Sequence, residues 1–124
     1  MGLDCFWVKK TATENNEVKT EKASIDADIN VAGGLFSGNG NDSFRGKVYD
    51  GIVNKASNIS LYQEMIENKD ILKIADSLDN FDLSNYDPES DCSYGFEIGE
   101  DDFKELKKMF RLHADAGHCL EGWW

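Results

Sequence analysis

Residues 100–116 read EDDFKELKKMFRLHADA, and residues 117–124 follow as GHCLEGWW. The first stretch opens on Glu100, Asp101 and Asp102, whose carboxylates suit the positive end of a helix dipole. Phe103, Leu106, Phe110 and His113 recur at steps of three, four and three, which aligns them along one side of a helix. Lys104, Lys107, Lys108 and Arg111 occupy the middle and C-terminal half, and Gly117 is placed to stop the helix at C′. Residues 119–123 then read as a strand. Trp123 and Trp124 are costly to leave in water, so the tail is expected to dock on the domain, with one of them as a core or interface anchor.

Working outward, residues 3–8 (LDCFWV) read as a buried strand close to the first residue. Residues 9–23 are polar and lack an apolar period, the pattern of a mobile loop. Residues 24–32 alternate, with Ile25, Ala27, Ile29 and Val31 on one face and Ser24, Asp26, Asp28 and Asn30 on the other, as in a half-exposed strand. The Asp26, Asp28, Asn30 spacing resembles the opening of a calcium loop, but Val31 stands where that loop needs glycine.

Residues 44–53 place Phe44, Val48 and Ile52 at helical spacing with Asp42 or Ser43 as N-cap, although Gly46 and Gly51 leave a hairpin strand as the alternative. Ser60 and Gln63 form a capping box ahead of an apolar run, which predicts helix over 60–80, with a break at Asn68–Asp70 as a variant. An acidic loop over 79–93 holds the single proline, and 94–98 reads as a short strand. Together these give one α+β domain over 1–124, a small, mostly antiparallel sheet packed on two or three helices.

The 124 residues carry a formal net charge of −11. Residues 1–50 hold eight acids against six bases, and residues 51–124 hold sixteen against seven. No base lies between Lys73 and Lys104. That field repels a phosphate backbone, so no nucleic-acid partner is expected. No segment approaches the length of an apolar membrane span, and the first residues lack the pattern of a signal peptide, so no membrane is expected either. Cys5, Cys92 and Cys119 are an odd number of thiols in a chain of ordinary composition, which points to a reducing, cytoplasmic setting.

The chemistry-bearing candidates begin with residues 33–47, GGLFSGNGNDSFRGK. Gly38, Gly40, Ser43, Arg45 and Lys47 could together hold a phosphate or carboxylate, more so if a helix N-terminus follows. The stretch misses the dinucleotide fingerprint at its third glycine and the P-loop by one residue of spacing and by Val48. His113 and His118 would serve as general acid or base beside such an anion. His113 also fits a hydrogen-bonded core position, and Arg45 and Lys47 fit a surface turn paired with acids. No paired cysteine or histidine spacing signals a metal, and no cofactor is expected.

Two functional readings follow. The first is a non-catalytic protein that interacts with a protein partner or with itself through Trp123 and Trp124. The second is a binder of, or enzyme on, a small anionic ligand roofed by residues 33–47.

Overall fold

The computed structural model describes residues 2–12, 15, 17–33, 40–91 and 97–124. Its core is one continuous apolar cluster between a five-stranded antiparallel sheet and the helices packed on one face of it. The α+β architecture expected from the sequence is present. The strands are β1 (Asp4–Ala12), β2 (Val18–Lys22), β3 (Ser43–Arg45), β4 (Met65–Ile66) and β5 (Cys119–Trp123). The longer helices are α1 (Gly46–Ser57), α2 (Asn68–Asp79) and α4 (Glu100–Asp115), with a short α3 (Pro88–Asp91) after a 3-10 turn at Leu83–Asn85.

β1 is the hub. Residues Asp4–Val8 pair with β5, Asp4–Phe6 pair with β3 on the opposite side, and Val8–Ala12 pair with β2 beyond β3. β4 closes the other edge against Glu121 and Leu120. The pleat sends Cys5, Trp7, Phe44, Ile66 and Leu120 inward. Asp4, Phe6, Val8, Ser43, Arg45, Glu121 and Trp123 take the outer face.

Trp7 is the centre of the inner layer. Its ring packs edge-on to Phe110 at 5.4 Å, lies 5.9 Å from Phe44, and stacks flat on His113 at 4.0 Å with an interplanar angle of 4°. The Phe103, Leu106, Phe110, His113 stripe of α4 is buried as its spacing predicts, joined by Met109 and Ala114. Ile71, Ile74, Ala75 and Leu78 of α2 complete the helical layer. Arg111 ties the two helices on the outside, with its guanidinium donating to Asp76 at 2.6 Å and Asp79 at 2.8 Å.

Several expectations are corrected. Within residues 9–23, expected as a mobile loop, β1 runs on to Ala12 and Val18–Lys22 pair with it as β2. Lys9 stands opposite Glu21, while Thr11, Val18 and Thr20 supply strand-favouring side chains, so a backbone ladder holds β2 although all five of its side chains are exposed. Residues 24–32 are not a strand. Their inside–outside alternation holds, with Ile29 buried, but the Asn41 side-chain amide donates to the Ile25 and Ala27 carbonyls and no ladder forms.

The helix over 44–53 begins only at Gly46. Arg45 is its N-cap residue, not Asp42 or Ser43, because Ser43 and Phe44 are drawn into pairing with β1. The helix over 60–80 begins at Asn68, since Ser60 donates to the Asp50 carboxylate and receives the Tyr62 amide instead of capping a helix. Within the acidic 79–93 stretch lie the 3-10 turn and α3. Most of the strand expected at 94–98 lies outside the described residues, and Glu97 and Ile98 are not in a strand. The strand at 119–123 is present as read.

Candidate interaction surface

The outer sheet face is built by the register of β1 against β5. Asp4 stands opposite Trp123 and Phe6 opposite Glu121. The diagonal between them brings the Phe6 and Trp123 rings edge-to-face at 6.1 Å and 70°. The Trp123 indole N–H donates to the Glu121 carboxylate at 3.3 Å, which fixes the side chain across the strand. Beyond it Trp124 packs edge-on to Tyr62 at 5.8 Å.

Trp123 is 61% exposed and Trp124 52%. Trp123 thus lies on the sheet without being covered, and of the two roles expected for a terminal tryptophan, core or interface anchor, the core one is not taken. Both rings are held by neighbouring aromatics while leaving a broad face to solvent. A groove of about 450 Å³ runs along this face between Phe6, Val8, Lys22, Ser43, Glu121 and Trp123. A second, of about 520 Å³, lies among Glu64, Gly122 and Trp124 and shares Glu121 and Trp123 with the first. Trp123 therefore stands between two hollows. Lys22, Asp42 and Glu121 give the first groove charges of both signs.

The residues expected to hold an anion divide into three places. Gly38 lies outside the described residues. Ser43 lines the outer groove, its hydroxyl donating to Asp42 at 3.2 Å. Arg45 is exposed two residues along the same strand, its amide donating to Ala32. Lys47 enters α1, and its amide donates to the Leu3 carbonyl, so two amides near that helix start are already engaged within the fold. The Ser43 groove includes neither Arg45, Lys47 nor either histidine.

Gly40, His113 and His118 do converge, but in the core. His113 Nε2 lies 2.8 Å from the Gly40 carbonyl and His113 Nδ1 lies 2.7 Å from His118 Nδ1. A carbonyl only accepts, so Nε2 of His113 carries its proton, and His118 Nδ1–H donates to the bare His113 Nδ1. Burial pushes the His113 pKa down to about 4, against the opposing pull of the Gly40 carbonyl. Burial, and then the Lys9 ammonium, lower that of His118. These are two neutral imidazoles in a structural chain.

Gly40 has φ +98°, and a Cβ there would sit 2.7 Å from Ile29 Cγ2 and 2.8 Å from Val31 Cγ2. Gly40→Ala is therefore expected to lose about 2–4 kcal/mol of unfolding free energy in urea, combining left-handed backbone strain with overpacking. A loss under about 0.5 kcal/mol would mean that this backbone relaxes freely.

Cys119 turns away from His118, with its thiol 3.8 Å from Glu67. Burial raises the pKa of both Cys5 and Cys119, which keeps the thiols protonated and poor as nucleophiles. Among the described residues no group of three or more His, Cys, Asp or Glu side chains is placed to hold a metal ion. No helix among them is long and apolar enough to cross a membrane.

Sequence reasoning missed Phe6, Lys22, Asp42 and Glu121 as residues of this groove. The signal for Phe6 was available in the alternation Cys5, Phe6, Trp7, where two inward neighbours turn the middle ring outward. Comparison with protein-family models, with curated proteins and with solved structures gives no match.

Proposed function

We propose that this is a non-catalytic binding protein that takes a protein partner on the outer face of its sheet. One observation carries the reading. Trp123 is 61% exposed yet held edge-on against Phe6 between two hollows. A pre-positioned aromatic loses little side-chain entropy on binding and buries a large area, the profile of an interface hot spot. Lys22, Asp42 and Glu121 at the groove supply polar rim contacts for orientation. The neutral histidines and protonated thiols support binding over chemistry.

The test is affinity capture on immobilised protein, comparing the native chain with Trp123→Ala. Trp123 lies outside the core, so the variant should keep its fold and thermal midpoint. A hot-spot loss of 2 kcal/mol or more corresponds to about a 30-fold weaker Kd for any captured partner. Partners retained equally by Trp123→Ala would contradict the reading.

A further inference from the structure

β2 is a sheet edge with no strand beside it among the described residues, and all five of its side chains are exposed. A two-stranded ribbon with neither face covered is marginal alone, and a free edge is a template for another strand. The sequence of that edge is Val18-Lys19-Thr20-Glu21-Lys22.

We propose that β2 pairs antiparallel with β2 of a second copy of this chain, in the register that sets Thr20 opposite Thr20. Three features support this arrangement, and the first selects its register. The first is charge. Centring on Thr20 puts Lys19 of each copy opposite Glu21 of the other and Val18 opposite Lys22. Shifting the centre to Lys19 sets two ammonium groups face to face, and shifting it to Glu21 sets two carboxylates face to face. A shift by half a pair mixes the two faces of the sheet.

The second feature is hydrogen-bond direction. The Ala23 amide donates to the Trp7 carbonyl, which sets the alternation along the hairpin. Lys19 and Glu21 therefore direct their backbone groups at β1, and Val18, Thr20 and Lys22 direct theirs outward. That outward set is available to an antiparallel partner strand, and the Thr20-centred register uses it while a half-step register does not. The third is local charge. The chain as a whole carries −11, which resists association, but residues 9–22 hold four bases and three acids. Glu21 already faces Lys9 across the hairpin and lies 3.8 Å from Lys19 on its own strand. In the dimer it gains a third lysine, Lys19 of the other copy.

The two-fold axis of such a pair stands perpendicular to the sheet. The two sheets become one, and both Trp123 faces lie on the same side of it, so a multivalent partner could engage two sites at once.

The test is sedimentation equilibrium over a concentration series. The native chain should show a monomer–dimer equilibrium. Thr20→Pro removes an outward N–H that bonds nothing in the hairpin, so it should leave the fold intact and the protein monomeric. Lys19→Glu and Glu21→Lys should each be monomeric alone and should dimerise when mixed, because the mixture restores opposite charges at both positions. The double variant carrying both changes should dimerise on its own. Trp123→Ala should dimerise like the native chain, which separates this pairing from partner binding on the outer face. A native chain that stays monomeric at the highest concentration reached, or a Thr20→Pro variant that dimerises as the native chain does, overturns the proposal.

Discussion

Replacing Trp7 by alanine should lower the unfolding free energy by about 3–5 kcal/mol, the range for emptying a large aromatic site in a packed core. Trp7 is fully buried and touches the rings of Phe44, Phe110 and His113, which come from β3 and α4. Removing it leaves a void at the junction of sheet and helix and strips one face of His113. A second consequence distinguishes this variant from an ordinary cavity. With that face opened, the imidazole should titrate closer to its ordinary range, since burial is the main reason it is depressed. Urea unfolding followed by far-ultraviolet circular dichroism gives the first quantity, and histidine resonances give the second. A loss below about 1 kcal/mol would place Trp7 outside the core. The Trp7 indole N–H is buried with no hydrogen-bond partner among the described residues, so Trp7→Phe should be milder than Trp7→Ala.

Acid should destabilise the protein well before most of its carboxylates titrate. Burial holds the folded-state pKa of His113 down at about 4 against an ordinary 6.5, so between these limits the unfolded chain binds a proton that the folded chain refuses. Stability is therefore full above about pH 6.5 and declines as pH falls towards 4, by about 3 kcal/mol for a shift of this size. His118, also lowered, acts in the same direction. The carboxylates of Glu67, Asp82 and Asp87 are lowered by their hydrogen-bond partners and add a further loss at the acid end. A His113→Phe comparison isolates the imidazole. Phenylalanine keeps a flat ring against Trp7 but cannot titrate, so the slope of stability between pH 6.5 and 4 should flatten in the variant. Equal slopes in both proteins would contradict the buried neutral state of His113.

The elements that were legible in the sequence are those whose stability comes from burial with a period. Residues 100–116 showed an apolar stripe, acidic first turn and terminal glycine, and α4 spans Glu100–Asp115. The alternation over 24–32 correctly sorted Ile29 inward and Asp28 outward, but a period of two fixes which way side chains face, not whether a neighbouring strand exists. The pairing of β2 with the end of β1 was illegible because its ladder is made of backbone groups and paired charges that leave no periodic hydrophobic trace. The start of α2 was misplaced because Ser60 meets Asp50, ten residues earlier, and a local capping pattern says nothing of that contact.

The same limits apply to the surface. Trp123 stood out as an aromatic at the end of the chain, but its exposure depends on which face of β5 turns inward, and that depends on register with β1. Gly40 and His113 were both singled out, yet their contact joins positions 73 residues apart, a pairing that only the fold creates.

Trp123 is proposed as an open, pre-positioned anchor on the outer face, 61% exposed in the free protein. That role is tested most directly by nuclear magnetic resonance of the three indole N–H groups with a soluble paramagnetic agent, in free protein and with a captured partner. In the free protein the Trp123 and Trp124 signals should broaden strongly while the buried Trp7 signal stays sharp. Adding the partner should restore the Trp123 signal. A Trp123 signal as protected as that of Trp7 in the free protein, or one that the bound partner leaves equally broadened, would contradict the account.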